Sequence, residues 1–343
     1  MKTLLFDWFT ENKRDLPWRH TKNPYLIWLS EIILQQTQVV QGLSYYLQFC
    51  SKYPTIKKLA QAPEDEVLKL WQGLGYYSRA RNLHKAAKIV AEKYHGVFPN
   101  SYEELRALPG IGDYTAAAIA SFAFDLCYPV LDGNVARVVS RLFGVVMPID
   151  TPAGKTELMQ ILNKQIDPKN PAEFNQAIME FGAIHCKPRQ PLCETCPFQK
   201  TCYAYHHDVV ETLPVKKNKT AVKPRRLDYL ICIENGYIWV KKRTNRDIWQ
   251  HLYDFPEADE TLIKKLKKSQ KLDFCEHQLS HQKLSISFWK TEKLPENLKS
   301  SAQKIPILQF FELATPKPIH NFSIKNQLIA KTVEKKCPNV KIF

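Results

Sequence analysis

The stretch Leu108-Pro-Gly-Ile-Gly-Asp-Tyr-Thr115 decides how the first half of the chain is read. Upstream, Ser101 with Glu104 three residues on has the spacing of a capping box, which starts a helix. Downstream runs an alanine-rich segment, Thr115 to Phe124. Between them Gly110 and Gly112 permit a tight hairpin whose backbone N–H groups face outward. Such amides, beside a helix N-terminus, hold a phosphate. Taken alone, the stretch fits a plain helix–helix turn equally well.

Reading outward, Val130-Leu-Asp-Gly-Asn-Val135 opens an apolar stripe of Val135, Val138, Val139 and Leu142. Asp132 is placed to cap that helix. The helix dipole and the capping amides favour the carboxylate anion, so Asp132 is expected to be ionised. In the other direction, Asn23-Pro24 is a cap followed by proline at the first helical position. Leu26, Leu29, Ile33, Val40 and Leu43 continue from it as one helical stripe. Glu31 sits on that helix in an otherwise uncharged stretch, Trp28 to Val39. Its default role is a solvated surface glutamate. Flanked by Trp28, Leu29, Ile32 and Ile33, it can instead be desolvated, which raises a carboxyl's pKa and suits it to acid work near neutral pH.

The net charge of +15 favours a polyanionic partner, nucleic acid before an anionic membrane surface, although solubility alone explains such an excess as well. No run approaches the ~20 apolar residues of a membrane span. Met1 to Arg19 carries Asp7, Glu11 and Asp15 and lacks the apolar block of a signal peptide. A cytoplasmic protein with reduced thiols is expected, so its nine cysteines read as metal ligands or buried thiols. Cys186, Cys193, Cys196 and Cys202 follow C-x6-C-x2-C-x5-C and can close round one centre, zinc or [4Fe–4S]. Cys50, Cys127, Cys232, Cys275 and Cys337 are scattered and read as small core hydrophobes.

The texture changes after residue 208. Leu213 to Arg226 holds six cations, two prolines and no acid, which predicts an extended basic linker over 209–226. Beyond it, Tyr229-Leu-Ile-Cys-Ile and Tyr237-Ile-Trp-Val are strand-like and joined through Asn235-Gly236, a hairpin signal. A third strand is expected over Leu284–Trp289, with a helix near Thr261 to Lys268. Trp249-Gln-His-Leu-Tyr-Asp-Phe-Pro256 resembles a segment of Nudix-like folds. The Arg-Glu run with paired glutamates that binds magnesium in Nudix enzymes is missing, which argues against pyrophosphate hydrolysis.

The cysteine spacing, the hairpin and Asp132 together resemble the endonuclease III and MutY family of helix–hairpin–helix DNA glycosylases, whose metal is [4Fe–4S]. Glu31 ahead of Leu34-Gln-Gln-Thr37 narrows the resemblance to the MutY-type adenine DNA glycosylases. Arg14-Asp-Leu-Pro-Trp-Arg19, Trp71-Gln-Gly-Leu-Gly-Tyr-Tyr-Ser-Arg79 and Phe174-Asn-Gln-Ala-Ile-Met-Glu-Phe-Gly182 add to it, and the likeness covers residues 5 to 205. It implies a mainly α helix–hairpin–helix glycosylase domain over 1–208 with a [4Fe–4S] loop at 186–202. The basic linker (209–226) and an α+β Nudix-like domain over 227–343, which inspects 8-oxoguanine, would follow.

The same resemblance implies a monomer that takes double-stranded DNA with adenine opposite 8-oxoguanine or guanine and flips the adenine out of the stack. Glu31 would protonate adenine N7 and Asp132 would stabilise the cationic sugar, with Tyr114 and Asn134 organising Asp132 and the sugar. Bifunctional relatives carry a lysine at position 114; the tyrosine implies a monofunctional enzyme. Arg14, Trp18 and Gln176 would line the adenine pocket. Gln36 and Tyr76 would wedge into the vacated stack, and Lys187, Arg189 and Lys200 would meet phosphates. Leu279-Ser280-His281 matches the family's Phe-Ser-His recognition loop, with leucine for phenylalanine. A thymine-removing G·T glycosylase, a DNA-bound redox sensor and a nucleotide pyrophosphatase with a DNA module are the competing readings.

Overall fold

The computed structural model describes residues 1–217, 221–265 and 270–326. The chain forms two compact units, Met1–Ala60 with Lys85–Lys219, and Gln61–His84 with Thr220–Phe343. The division after Lys219 falls inside the expected linker. The segment 61–84, expected within the glycosylase domain, clusters instead with the C-terminal unit.

Helices fill the chain as far as residue 206: α1 (Lys2–Asn12), α2 (Pro24–Leu34), α3 (Val39–Lys52), α4 (Ile56–Gln61), α5 (Glu64–Leu70) and α6 (Ser78–Lys93) come first. They are followed by α7 (Tyr102–Arg106), α8 (Asp113–Phe124), α9 (Gly133–Phe143), α10 (Pro152–Gln165), α11 (Pro171–Glu180) and α12 (Tyr203–His206). In the first unit α2 is buried over Ile27–Ile33 on every side and packs on α8 and α3. A helix apolar all round belongs in a core. Asn23 caps it, its side chain accepting from the Tyr25 amide at 3.0 Å.

The single helix expected from Pro24 to Leu43 is two helices. Gln35 turns extended (ψ 113°) and Gln36 takes a left-handed φ of 55°, which ends α2. Val40, counted into the apolar stripe, is 87% exposed. Apolar spacing persisted across the break by coincidence of register, because the chain restarts as α3.

Ser101 caps α7, accepting from the Glu104 amide at 3.3 Å. In the hairpin only Gly110 is left-handed (φ 80°); Gly112 is extended and caps α8. Alanines 116, 118 and 120 are fully buried, so α8 lies close to α2 and α11.

The second unit holds β1 (Lys223–Glu234), β2 (Tyr237–Lys242), β3 (Tyr253–Asp254), α13 (Glu260–Lys265), β4 (Gln270–Gln278) and β5 (Gln282–Thr291). After these come α14 (Glu296–Lys299), β6 (Gln303–Pro306), α15 (Ile307–Phe310) and α16 (Lys317–Lys325). The sheet runs β3-β2-β1-β5-β4, with β6 also on β2. β1 and β5 are parallel and the hairpin at Asn235-Gly236 is antiparallel, with Glu234 opposite Tyr237. Leu227 to Cys232 are all buried, because β1 has cores on both faces. That is how a central strand comes to read as an unbroken apolar run.

β1 begins at Lys223, four residues inside the stretch read as linker, since its pairing with β5 starts at Lys223–Gln282. Residues 266–268 of the expected helix lie outside the described residues, as does Cys337. Cys127, read as a core thiol, is exposed, and Cys232 is buried.

Candidate active site

Three elements of the first unit build the site: α2 and the start of α9 carry the two carboxyls, and α8 carries Tyr114. Glu31 lies near the end of α2 and is only 7% exposed. Tyr114, in the first turn of α8, donates from its hydroxyl to Glu31 Oε2 at 2.8 Å. Burial pushes the Glu31 carboxyl up to about 7; the Tyr114 hydrogen bond pulls it down, and the Asp132 charge pushes it up again. The flank of Trp28, Leu29, Ile32 and Ile33 is the apolar shell responsible, all four being buried.

Asp132 caps α9. Its Oδ1 accepts from the Val135 amide at 2.7 Å and its Oδ2 from Asn134 Nδ2 at 2.9 Å. The cap favours the Asp132 anion, as the sequence implied, but it acts against burial. Burial raises the Asp132 pKa, and the amide, Asn134 and Arg137 only oppose that rise. The cap is local, whereas desolvation comes from the elements packed round it. Tyr114, expected to organise Asp132 and the sugar, makes its hydrogen bond to Glu31, and α8 packs against α2. Asn134 does hold Asp132, as expected.

Arg137 orders Asn134. Its guanidinium donates to Asn134 Oδ1 at 3.0 Å, to the Gly182 carbonyl at 2.6 Å and to the Cys186 carbonyl at 2.8 Å. Gly182 is required here, since a Cβ would lie 2.8 Å from Asn134 Cβ. One turn on, Arg141 donates to the carbonyls of Lys187 (2.8 Å) and Leu213 (3.1 Å) and to Cys186 Sγ at 3.4 Å. The two arginines tie the cysteine loop to the helix that Asp132 caps. Sequence reasoning missed both; their signal was two cations among the apolar residues of α9.

Arg14 is engaged by a residue that was also missed. Glu180, 1% exposed, accepts from Arg14 (2.6 and 2.7 Å) and from Arg19 (2.8 Å). Burial pushes Glu180 up, but these hydrogen bonds prevail and hold it at about 2. A charge so buried needs partners. Trp18 is buried edge-on to Tyr46, with ring centroids 5.2 Å apart, and Gln176 is half-buried on α11. Gln36 is exposed in its left-handed turn.

The four cysteines of the 186–202 loop are half-buried. Burial first, and then the neighbouring Cys186, Cys202 and Cys193, push Cys196 up to about 12 against the Phe198 amide, which lowers it. Among the described residues no three Cys, His, Asp or Glu side chains are gathered as for a single metal ion. Arg189 and Lys200 are exposed on this loop and Lys187 is half-buried.

In the second unit, Ser280 and His281 are exposed at the tip of the β4–β5 hairpin, Ser280 Oγ 3.3 Å from His281 Nδ1. Leu279 packs against the sheet core. Tyr76 is 46% exposed with φ 47°.

A glycine hairpin between α7 and α8, a helix-capping aspartate and a buried acid together make a helix–hairpin–helix site. The family described as HhH-GPD superfamily base excision DNA repair protein matches residues 29–168, and the NUDIX domain matches 228–324. An adenine DNA glycosylase of Buchnera aphidicola subsp. Baizongia pistaciae is 39% identical over 307 residues, 84% of this chain and 86% of its own. A thermostable thymine-DNA glycosylase structure aligns with TM-score 0.56 and 31% identity over 60% of this chain and 94% of that one. An endonuclease III in a non-covalent complex with DNA aligns with TM-score 0.52 and 25% identity over 60% and 95%. The chain belongs to the adenine DNA glycosylase family, enzymes that act on N-glycosidic bonds. Among the described residues no helix is long and apolar enough to cross a membrane.

Proposed function

We propose that this chain is a monofunctional glycosylase that removes adenine mispaired with 8-oxoguanine or guanine from double-stranded DNA, in base excision repair. The observation that carries this reading is the Glu31 carboxyl, buried, raised to about 7 and held through Oε2 by Tyr114. A carboxyl titrating near neutral pH is a competent proton donor. Tyr114 occupies one oxygen, so Oε1 carries the proton that passes to adenine N7.

Protonation makes adenine a good leaving group. The C1′–N9 bond then breaks with its electrons going to the base, and positive charge grows on the sugar. Asp132, fixed by the Val135 amide and Asn134, stabilises that charge as a carboxylate. Water adds to C1′ and returns a proton to the Glu31 carboxylate. Tyrosine at position 114 puts no amine there, so the product is an abasic site and the strand stays whole.

Arg14, Trp18 and Gln176 line the base pocket, with Glu180 orienting Arg14. Gln36 and Tyr76 enter the vacated stack. The left-handed backbone at each, unusual for these residue types, is the kind of strain that functional positions retain. The Gly110–Gly112 hairpin takes phosphate, and Ser280 and His281 meet the oxidised base. Cys186, Cys193, Cys196 and Cys202 would hold a [4Fe–4S] cluster, four soft thiolates being its donor set. Bound there, the cluster supplies structural closure of the loop that presents Lys187, Arg189 and Lys200. The protein works as a monomer in the cytoplasm, on the chromosome.

The likeness to a thymine-DNA glycosylase keeps thymine opposite guanine as the second reading. Single-turnover assays on adenine opposite 8-oxoguanine, adenine opposite guanine and thymine opposite guanine separate the two. Adenine loss that needs alkali to nick the strand, and that Glu31→Gln abolishes, is expected. Thymine release alone would replace the substrate and leave the fold assignment standing.

A further inference from the structure

The segment 61–84 belongs by position to the helical half and by packing to the sheet unit. It contains the loop that carries Tyr76, and that loop is stiff inside. Gly73 (φ 104°), Gly75 (φ 71°) and Tyr76 (φ 47°) make a tight left-handed path. The fully buried Trp71 donates from Nε1 to the Gly75 carbonyl at 3.0 Å. The Arg79 guanidinium lies 5.1 Å from the Trp71 ring centroid and 5.6 Å from that of Tyr76, and donates to the Leu74 and Gly75 carbonyls. A loop so filled moves as a piece, and its position is decided at its two ends.

Both ends are fastened to the sheet unit. Before the loop, the Asp65 carboxylate accepts from Lys242 Nζ at 2.7 and 2.9 Å and from the Tyr253 hydroxyl at 3.2 Å. Glu64 Oε1 is 2.6 Å from His251 Nδ1, and Lys69 Nζ donates to the carbonyls of Phe311 (2.7 Å) and Leu313 (3.0 Å). After the loop, Arg81 donates to the Gln250 carbonyl at 2.7 Å. On the sheet side, Trp249 and His251 take left-handed backbones (φ 59° and 69°). That turn is pinned by Arg225 and Arg243 on Asp247. The ion pairs are half-exposed, with Lys242 and Asp65 at 37% and 40%, so each adds little stability. Their number and their placement on both flanks suit them to fix position.

We propose that the sheet unit, through Lys242, Tyr253 and His251 and the carbonyls of Gln250, Phe311 and Leu313, is the element that positions Tyr76 in the DNA. Lys242 and His251 are positioning residues acting through Glu64 and Asp65. The compact unit that presents Ser280 and His281 to the oxidised base then also carries the wedge. Substrate preference and strand invasion are thereby coupled. The inference rests on the wedge role given to Tyr76 above.

The test is a double-mutant cycle in the full chain. Single-turnover adenine loss opposite 8-oxoguanine and opposite guanine is measured for wild type, Tyr76→Ala, Lys242→Met with His251→Ala, and all three together. The clamp variant should be slower opposite 8-oxoguanine by about three- to tenfold, the scale of one or two exposed ion pairs, and less affected opposite guanine. Adding it to Tyr76→Ala should cost nothing further, because residues acting through one another are non-additive. Losses that multiply, or a clamp variant as fast as wild type while Tyr76→Ala is slow, would overturn the proposal. His251→Gln, which keeps a donor toward Glu64, should restore most of the loss seen in His251→Ala; no rescue counts against the clamp. If the wild-type chain releases no base from any duplex, the activity reading has failed, and hydrogen exchange of the protein alone decides the clamp. Amides of residues 72–78 should then exchange at least about tenfold faster in the clamp variant, with α2 and α8 unchanged. Equal exchange would refute it.

Discussion

The Tyr114 hydroxyl donates a 2.8 Å hydrogen bond to Oε2 of Glu31, joining the first turn of α8 to the last turns of α2. The bond opposes the upward push of burial on Glu31. Tyr114→Phe removes it, so the Glu31 pKa should rise above about 7. Catalysis by the protonated acid falls as pH rises through that pKa. The descending limb of the pH–rate profile should therefore move to higher pH in the variant. A limb that stays put or moves down would mean that Glu31 is not the titrating acid.

Glu31 also leaves a signature in stability. Its folded pKa of about 7 exceeds the ordinary value of 4.5, so the native state binds the proton more tightly than the unfolded one. The burial is tolerated below the ordinary value, and stability is lost progressively as pH rises to about 7. At about 1.4 kcal/mol per unit, the loss reaches roughly 3 kcal/mol at pH 8. Glu31→Gln should raise Tm at pH 8 and change it little near pH 4.5, while slowing base release at least about a hundredfold. Calorimetry at the two pH values, beside the single-turnover rate, checks both; a Tm that drops at pH 8 contradicts the buried-acid account.

Asn134 holds Asp132 and is itself held by Arg137. Its bond favours the Asp132 anion, which burial disfavours. Asn134→Ala should raise the Asp132 pKa further and carry the ascending limb of the rate profile to higher pH. Relative to wild type, the rate should fall most on the acid side of the profile, by up to about tenfold, a charge-assisted bond being worth about 1.5–3 kcal/mol, and least on the alkaline side. A uniform fall at every pH would point to a packing effect instead.

The cysteine loop makes a prediction about composition. Iron and sulfide should each be found at about four per chain if all four thiolates carry a [4Fe–4S] cluster. Cys196→Ser should lose iron and release the loop, seen as faster tryptic cleavage at Lys187, Arg189 and Lys200 and a lower DNA affinity. Zinc in place of iron, bound by the same cysteines, would overturn the cluster assignment and leave the loop's structural role intact.

Most of the fold was legible because its signals are local. Asn23-Pro24, Ser101 with Glu104, and Asp132 announced three helix starts, and each caps as a side chain in that position must. Asn235-Gly236 marked the hairpin for the same reason. The break at Gln35–Gln38 was illegible, since apolar spacing continued through it and no glycine or proline flagged the left-handed Gln36. Of the site, the residue types and their motif neighbours were visible in sequence. The partners were not: Glu180 reaches Arg14 across 166 positions, and Arg137 finds Gly182 across 45.

By itself, then, the sequence determined the helix starts, the four-cysteine loop, the two carboxyls and the change from helices to strands. Spacing and capping act within a few residues and are written along the chain. Only the tertiary structure decided that Glu31 titrates near neutrality, that the Tyr114 hydroxyl bonds Glu31, and that residues 61–84 pack with the sheet. Each of these depends on burial and on hydrogen bonds between elements distant in sequence, 83 residues apart for Tyr114 and Glu31, and no local pattern encodes such a meeting.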